Sequence, residues 1–229
     1  MNELGRALLK AVELIATRDP EVVEITLRSL WIAGTSTTFA SAICIPLSGL
    51  IQFHQFRGKR FLINLIQTFY SLPTVCVGLF VFVLISRAGP LGSLGLMFTP
   101  TAMIIGQTIL ITPILLGLTF AALTGIDVAI RESALSLGAT RLQVIWTIIK
   151  EARFSVVAGV IMGFGRAVSE VGAAIMLGGN IKGFTRVLTT AISLETQKGE
   201  LEFALALGIV LICVSLAVNM AMNLIQQRF

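Results

Sequence analysis

The chain has 229 residues, 55% hydrophobic and 13% charged, with a formal charge of +5 and a mean hydropathy of +0.92. A typical soluble domain carries about 25% charged residues, so this composition excludes a disordered chain and a water-soluble enzyme and points to a membrane protein. The basic excess reads as a topology signal, not a nucleic-acid footprint, because no basic stripe with interleaved aromatics is present.

In chain order, the first 24 residues form a leader. Glu3, Arg6, Lys10 and Glu13 interrupt any signal-peptide core, while Leu4, Leu8, Ala11 and Ile15 recur at helical spacing. Two readings are open: an amphipathic helix lying on the outer membrane surface, which is preferred, or a polar leader. Asp19-Pro20-Glu21 then marks a helix start, with Pro directly after a capping Asp.

Gaps between charged residues place the spans. A spanning helix needs about 20 apolar residues at 1.5 Å rise, and five stretches meet this: 27–52, 61–86, 97–123, 154–177 and 203–226. Pro46, Pro73 and Pro113 fall inside spans, and the neighbouring Ser71 and Thr112 are placed to resatisfy freed carbonyls. The expected fold is therefore all-α and polytopic, with residues 1–24 as an external leader and 25–229 as the transmembrane domain.

An odd number of spans puts the termini on opposite sides. Arg57, Lys59, Arg60, Arg131, Arg141, Lys150, Arg153 and Arg228 fall on one side; Arg6, Lys10, Arg18, Arg87, Lys182, Arg186 and Lys198 fall on the other. The denser loops at 57–60 and 131–153 are taken as cytoplasmic, with the N-terminus outside and the C-terminus inside. Cys44, Cys76 and Cys213 sit in apolar runs as small packing residues, and with one histidine, His54, no metal site is expected.

Segment 124–153 is too polar to span and too regular for a linker. Val128, Leu135, Leu142 and Ile149 fall seven apart, which reads as one or two amphipathic helices interrupted at Gly138. Deep in the 154–177 span, Arg166 and Glu170 stand four apart on one helix face. A lone charge at mid-membrane costs about 2.5–3.5 kcal/mol on insertion scales, so both face protein or water. They are either a structural ion pair or a lining of an anion path. Gly178-Gly179-Asn180 marks the outer end of that span, where Asn180 and Lys182 either meet substrate or simply turn the chain.

The loop resembles that of the permease subunits of ABC importers, whose pattern is Glu-Ala-Ala, three residues, Gly, nine residues, then Ile-x-Leu-Pro. Glu132-Ser133-Ala134, Gly138 and Ile148 match in register; Lys150-Glu151 departs from Leu-Pro. The resemblance implies the type I permease fold of five core spans plus an N-terminal amphipathic helix. It implies a coupling helix that docks on a separate ATPase, using Glu132, Ser133, Ala134, Gly138, Ala139 and Ile148.

A narrower resemblance, to molybdate, tungstate and sulfate permeases, covers nearly the whole chain. It rests on Phe56-Arg57-Gly58-Lys59, Ser71-Leu72-Pro73-Thr74-Val75, Gly89-Pro90-Leu91-Gly92, the stretch Gly165 to Ala173, Gly178-Gly179-Asn180-Ile181 and Leu188-Thr189-Thr190-Ala191-Ile192. Asp19-Pro20-Glu21 and Leu194-Glu195-Thr196 look most like the tungstate branch. This implies a homodimer in a prokaryotic plasma (inner) membrane, with two cytoplasmic ATPase subunits and an external oxyanion-binding protein. The chain itself would bind no cofactor, ATP and Mg residing on the ATPase; no GxxxxGK[ST] loop is present. Arg166, Glu170, Gly178, Gly179 and Asn180 are the candidates for the translocation path. The alternatives are a permease for another substrate such as sulfate, an ATP-independent ion-coupled transporter or channel, or an intramembrane enzyme.

Overall fold

A computed structural model describes residues 3–228, and it is helical throughout, with no strand among the described residues. The leader forms α1 (Glu3–Ala16). Ala7, Ala11 and Leu14 are its buried residues, packed toward α11 (Leu201–Arg228), while Leu4, Leu8 and Ile15 of the predicted stripe are exposed. Close packing takes the face of Ala7, Ala11 and Leu14 and leaves Leu4, Leu8 and Ile15 outward.

The helix α2 (Pro20–Phe53) starts where Asp19-Pro20 predicts: Asp19 Oδ1 accepts from Val22 N at 3.0 Å and Pro20 occupies the first turn. It begins well ahead of residue 27. Charge-free length measures the hydrocarbon, not the helix, and the turn carrying Glu21 and Glu24 belongs to α2 all the same.

Two predicted spans are not single helices. The 61–86 stretch divides into α3 (Lys59–Thr68), a 3-10 turn (Phe69–Ser71) and α4 (Thr74–Ile85), bent by 100°. Pro73 drives the break: it cannot donate to the helix ladder and holds Leu72 extended (φ −59°, ψ 128°). The 154–177 stretch divides into α8 (Arg153–Val168) and α9 (Gly172–Gly178), bent by 60°. By contrast α5 (Pro100–Thr124) and α2 run through Pro113 and Pro46. Thr112 Oγ1 donates to Thr108 O at 2.7 Å, so it does not serve the Ile109 carbonyl that Pro113 frees. Three helices are long and apolar enough to cross a membrane alone, and five spans result if each bent pair counts as one.

The centre is the α2–α5 pair. Ala33, Ala40 and Cys44 pack against Leu110, Ile111, Leu115 and Leu116, with Ala167 and Val168 of α8 closing the cluster. Small residues on α2 allow close approach, and hydroxyls stitch the two helices: Ser48 Oγ donates to Leu116 O at 3.0 Å and Thr108 Oγ1 to Ser36 O at 3.4 Å. Of the three cysteines only Cys44 is buried; Cys76 and Cys213 lie on outward faces.

Candidate functional site: the loop helices and the intramembrane ion pair

Segment 124–153 resolves into α6 (Val128–Ser136) and α7 (Arg141–Glu151). Asp127 caps α6, its Oδ1 accepting from Ala129 N at 2.9 Å. Gly138, at φ +80°, takes the left-handed conformation that turns one helix into the next, and Ala139 N closes the turn on Ala134 O at 3.1 Å. Thr140 and Gln143 then form a reciprocal capping box on α7, with Thr140 N donating to Gln143 Oε1 at 2.7 Å.

The two helices have different roles. In α7, Val144, Ile145, Ile148 and Ile149 are buried against Leu123, Ala152 and Val156, a set of contacts worth about 1.5–3 kcal/mol per side chain. In α6 no residue is buried. Glu132, Ser133 and Leu135 are exposed, Ala134 and Ala139 lean on the α7 cluster, and Leu137 is 88% exposed at the tip. Of the predicted docking residues, then, Ile148 is an interior anchor and cannot touch a partner. The seven-residue pattern does not mark one face either: Val128, Leu135 and Leu142 are exposed and only Ile149 is buried. The turn at Gly138 rotates the second helix relative to the first, which a linear period cannot register.

Arg166 and Glu170 meet as predicted, with Arg166 Nη1 donating to Glu170 Oε2 at 3.0 Å. They do not share a helix. Glu170 sits in the break after α8, 2% exposed, and its second oxygen accepts from Ala173 N at 2.9 Å in the first turn of α9. Its backbone carbonyl accepts from Thr189 Oγ1 at 2.8 Å. Glu170 thus ties three segments together, α8 and α9 through its carboxylate and α10 (Leu188–Lys198) through its carbonyl. The Arg166 side chain is 34% exposed and borders a cavity of about 150 Å³ with Phe69, Tyr70, Val77, Leu110 and Pro113. Tyr70, which sequence reasoning passed over, seats its hydroxyl on Gly117 of α5, where a Cβ would lie 1.1 Å from it. Tyr70 therefore pins the α3–α4 bend to α5 beside Arg166.

The remaining path candidates are built into the scaffold. Gly178 is buried against Met103, and Gly179 (φ +70°) packs on Phe98. Asn180 (φ +51°) donates from Nδ2 to Thr190 O at 3.2 Å and accepts from Thr190 Oγ1 at 2.8 Å, so its amide is committed to α10. Lys182 and Arg186 both reach Glu21, at 2.6 and 3.3 Å, and Arg28 donates to the carbonyls of Arg186 and Gly183. This network fixes the end of α2 against the 181–187 loop. Its sequence signal was the acidic first turn of α2 facing a later basic loop. Sequence reasoning also missed Asn64, Gln67 and Thr68, polar side chains exposed along α3, while Ser71 donates to Thr68 O at 2.9 Å and not to the Phe69 carbonyl that Pro73 frees.

A long apolar helical chain with a part-buried Arg166–Glu170 pair and an exposed loop helix has clear relatives. The family model described as "Binding-protein-dependent transport system inner membrane component" matches residues 44–229. The chain belongs to that family. This permease is 40% identical over the full length of both chains to the tungstate uptake system permease protein TupB of Peptoclostridium acidaminophilum. It is 28% identical to the molybdenum transport system permease protein ModB of Escherichia coli strain K12, covering 80% of this chain and 83% of that one. Among solved structures it superposes on a chain of the inward-facing MetNI methionine ABC transporter with a TM-score of 0.74 at 19% identity, covering 92% of this chain and 96% of that one. The permease thus has the type I ABC importer fold and is a membrane transport component.

Proposed function

We propose that this permease is the membrane-spanning half of an ATP-driven importer for a tetrahedral oxyanion, tungstate or molybdate. The observation that carries the reading is the end-to-end likeness to TupB, 40% identical over the full length of both chains. The complex contains two copies of this chain, two cytoplasmic ATPase subunits holding ATP and Mg, and an external oxyanion-binding protein. The N-terminus lies outside and the C-terminus inside.

The geometry supports a chain of mechanical steps. The ATPases close on ATP and move α6, whose exposed Glu132, Ser133 and Leu137 form the contact. α7, anchored by Ile145, Ile148 and Ile149, transmits that motion to α8 and the end of α5. α8 carries Arg166, and α9 is tied to it through Glu170. Thr68 and Ser71 return their hydroxyls to Asn64 O and Thr68 O, whereas Asn64 and Gln67 are exposed on α3, and amides within a membrane-spanning stretch face protein or water in preference to lipid. A second copy closing around the bent α3–α4 segment gives them a water-filled path. Arg166 supplies positive potential beside that path while Glu170 half-neutralises it, which suits an anion that must leave as readily as it enters.

The test is uptake by proteoliposomes holding this permease with its ATPase and loaded binding protein. Tungstate accumulation that requires internal ATP is the expected result. Accumulation that persists without ATP, or that follows an ion gradient alone, rejects the importer reading; ATP-driven uptake of sulfate but not tungstate rejects the anion assignment.

A further inference from the structure

α3 lies along the half of α5 nearest the α6–α7 loop. At one end Lys59 Nζ donates to Gln52 O at 2.8 Å and stands 5.9 Å from the centre of the Phe120 ring. Further along, Ile66 packs on the α2–α5 cluster. Just past the other end, Tyr70 borders the Arg166 cavity beside Pro113. Lys59, Ile63 and Ile66 are half-buried and form the inner face. The helix therefore connects the loop side of the protein to the depth of Arg166.

The outer face has two edges of opposite chemistry. At 3.6 residues per turn, Arg60, Asn64 and Gln67 fall within about 60° of one another. All three are exposed. Phe61 and Leu65, 72% and 37% exposed, form the next edge, about 110° further round. The first edge offers a guanidinium and two amides, and none of these side chains has a hydrogen-bond or ion-pair partner among the described residues. It holds no carboxylate, and the chain has no Asp or Glu between Glu24 and Asp127. Donors left unmatched in hydrocarbon are costly, so this edge faces water or a polar ligand, while the apolar edge needs neither.

We propose that Arg60 is the terminal cation of the oxyanion's exit route, which runs from the Arg166 cavity past Gln67 and Asn64 to the side of the α6–α7 loop. This rests on the oxyanion-import reading and adds to it a direction and a residue. An anion that leaves Arg166 meets two amides, which donate hydrogen bonds without a full charge. It then meets Arg60, about 10 Å beyond Gln67 along the helix. Arg60 has no carboxylate to offset it, but it stands in water, where a unit charge holds an anion weakly enough to release it. Donors without carboxylates pass an anion and leave a metal cation without ligands.

The test is thiol labelling of the permease assembled with its ATPase in nanodiscs. Cys76→Ser and Cys213→Ser remove the two exposed cysteines, and Cys44 is buried. Asn64→Cys, Gln67→Cys and Leu65→Cys are then introduced singly. Each is treated with an anionic and a cationic methanethiosulfonate, with and without ATP. The thiolate is the reacting form and requires water, so positions 64 and 67 are expected to react at least about tenfold faster than position 65, which lies at the same depth. Arg60 is one turn from position 64, about 6 Å along the helix. A unit charge at that distance in water changes a rate about threefold, so Arg60→Gln should lower the anionic-to-cationic rate ratio at position 64 about tenfold at low ionic strength. Protection of positions 64 and 67 in both states overturns the proposal, since the donors then pack on protein. Equal reaction at 64, 65 and 67 overturns it too, since α3 is then bathed on all sides. An unchanged ratio in Arg60→Gln removes Arg60 from the route. Labelling needs no substrate, so these outcomes are separate from the import reading, which fails only if the parent complex shows no ATP-driven tungstate uptake.

Discussion

Removing Arg166 should hurt the fold more than removing Glu170, although they are two halves of one pair. Glu170 is 2% exposed, and its carboxylate has two partners, Arg166 Nη1 at 3.0 Å and Ala173 N at 2.9 Å. Arg166→Gln strands that carboxylate with a single N–H. Breaking a fully buried pair costs about 3–5 kcal/mol, and the surviving bond to Ala173 holds the expected loss near the lower end, about 3 kcal/mol. Glu170→Gln is milder. The amide oxygen still accepts from Ala173 N, and the Arg166 head, 34% exposed beside its cavity, keeps part of its hydration. A loss of about 1–2 kcal/mol follows. The double variant carries no stranded charge and should resemble Glu170→Gln, leaving a coupling of about 3 kcal/mol in the cycle. At roughly 2–4 °C per kcal/mol for a chain of this size, Arg166→Gln lowers Tm by about 6–12 °C. The assay is size-exclusion recovery of purified permease after heating across a temperature series. A Glu170→Gln loss equal to or greater than that of Arg166→Gln, or a double variant equal to the sum of the singles, refutes the assignment of Glu170 as the tie between α8 and α9.

Two further outcomes test the bend and the docking helix. Gly117→Ala places a methyl where the Tyr70 hydroxyl sits, so it should cost about 1–3 kcal/mol through overpacking; combining it with Tyr70→Leu should recover most of that loss, as read by Tm and by ATP-driven uptake. Leu137→Glu alters a side chain that is 88% exposed and buries nothing in the permease. It should leave Tm within about ±0.5 kcal/mol of the parent while reducing copurification of the ATPase subunit at least tenfold, and an unchanged yield of ATPase would remove α6 from the contact.

The membrane class, the helix start at Asp19-Pro20 and the presence of an exposed helical segment at 124–153 were legible in the chain because each depends on local quantities. Charge spacing reports where hydrocarbon begins and ends, a capping Asp before Pro reports a helix start, and a polar amphipathic stretch between apolar runs reports an exposed loop. The pairing of Arg166 with Glu170 was also visible, since four residues and opposite charge suffice to bring them together. Where the chain breaks was not visible. An apolar run reads the same whether it is one helix or two, so the 100° bend at Pro73 and the 60° bend after Val168 emerged only with the fold, and Glu170 moved from a helix face to a junction.

Composition and local pattern by themselves determined that this chain lives in a membrane, that it is helical, and that its 124–153 segment is too polar to span. The tertiary structure alone decided which side chains remain available. Ile148 matched the docking pattern but is consumed by the core beneath α7; Asn180 looked like a path residue but is consumed by Thr190; Tyr70, Asn64 and Gln67 carried no motif yet line the bend. The physical reason is that availability is set by what packs on the other side. Neighbours distant in sequence supply that surface, and no local period or charge count contains them.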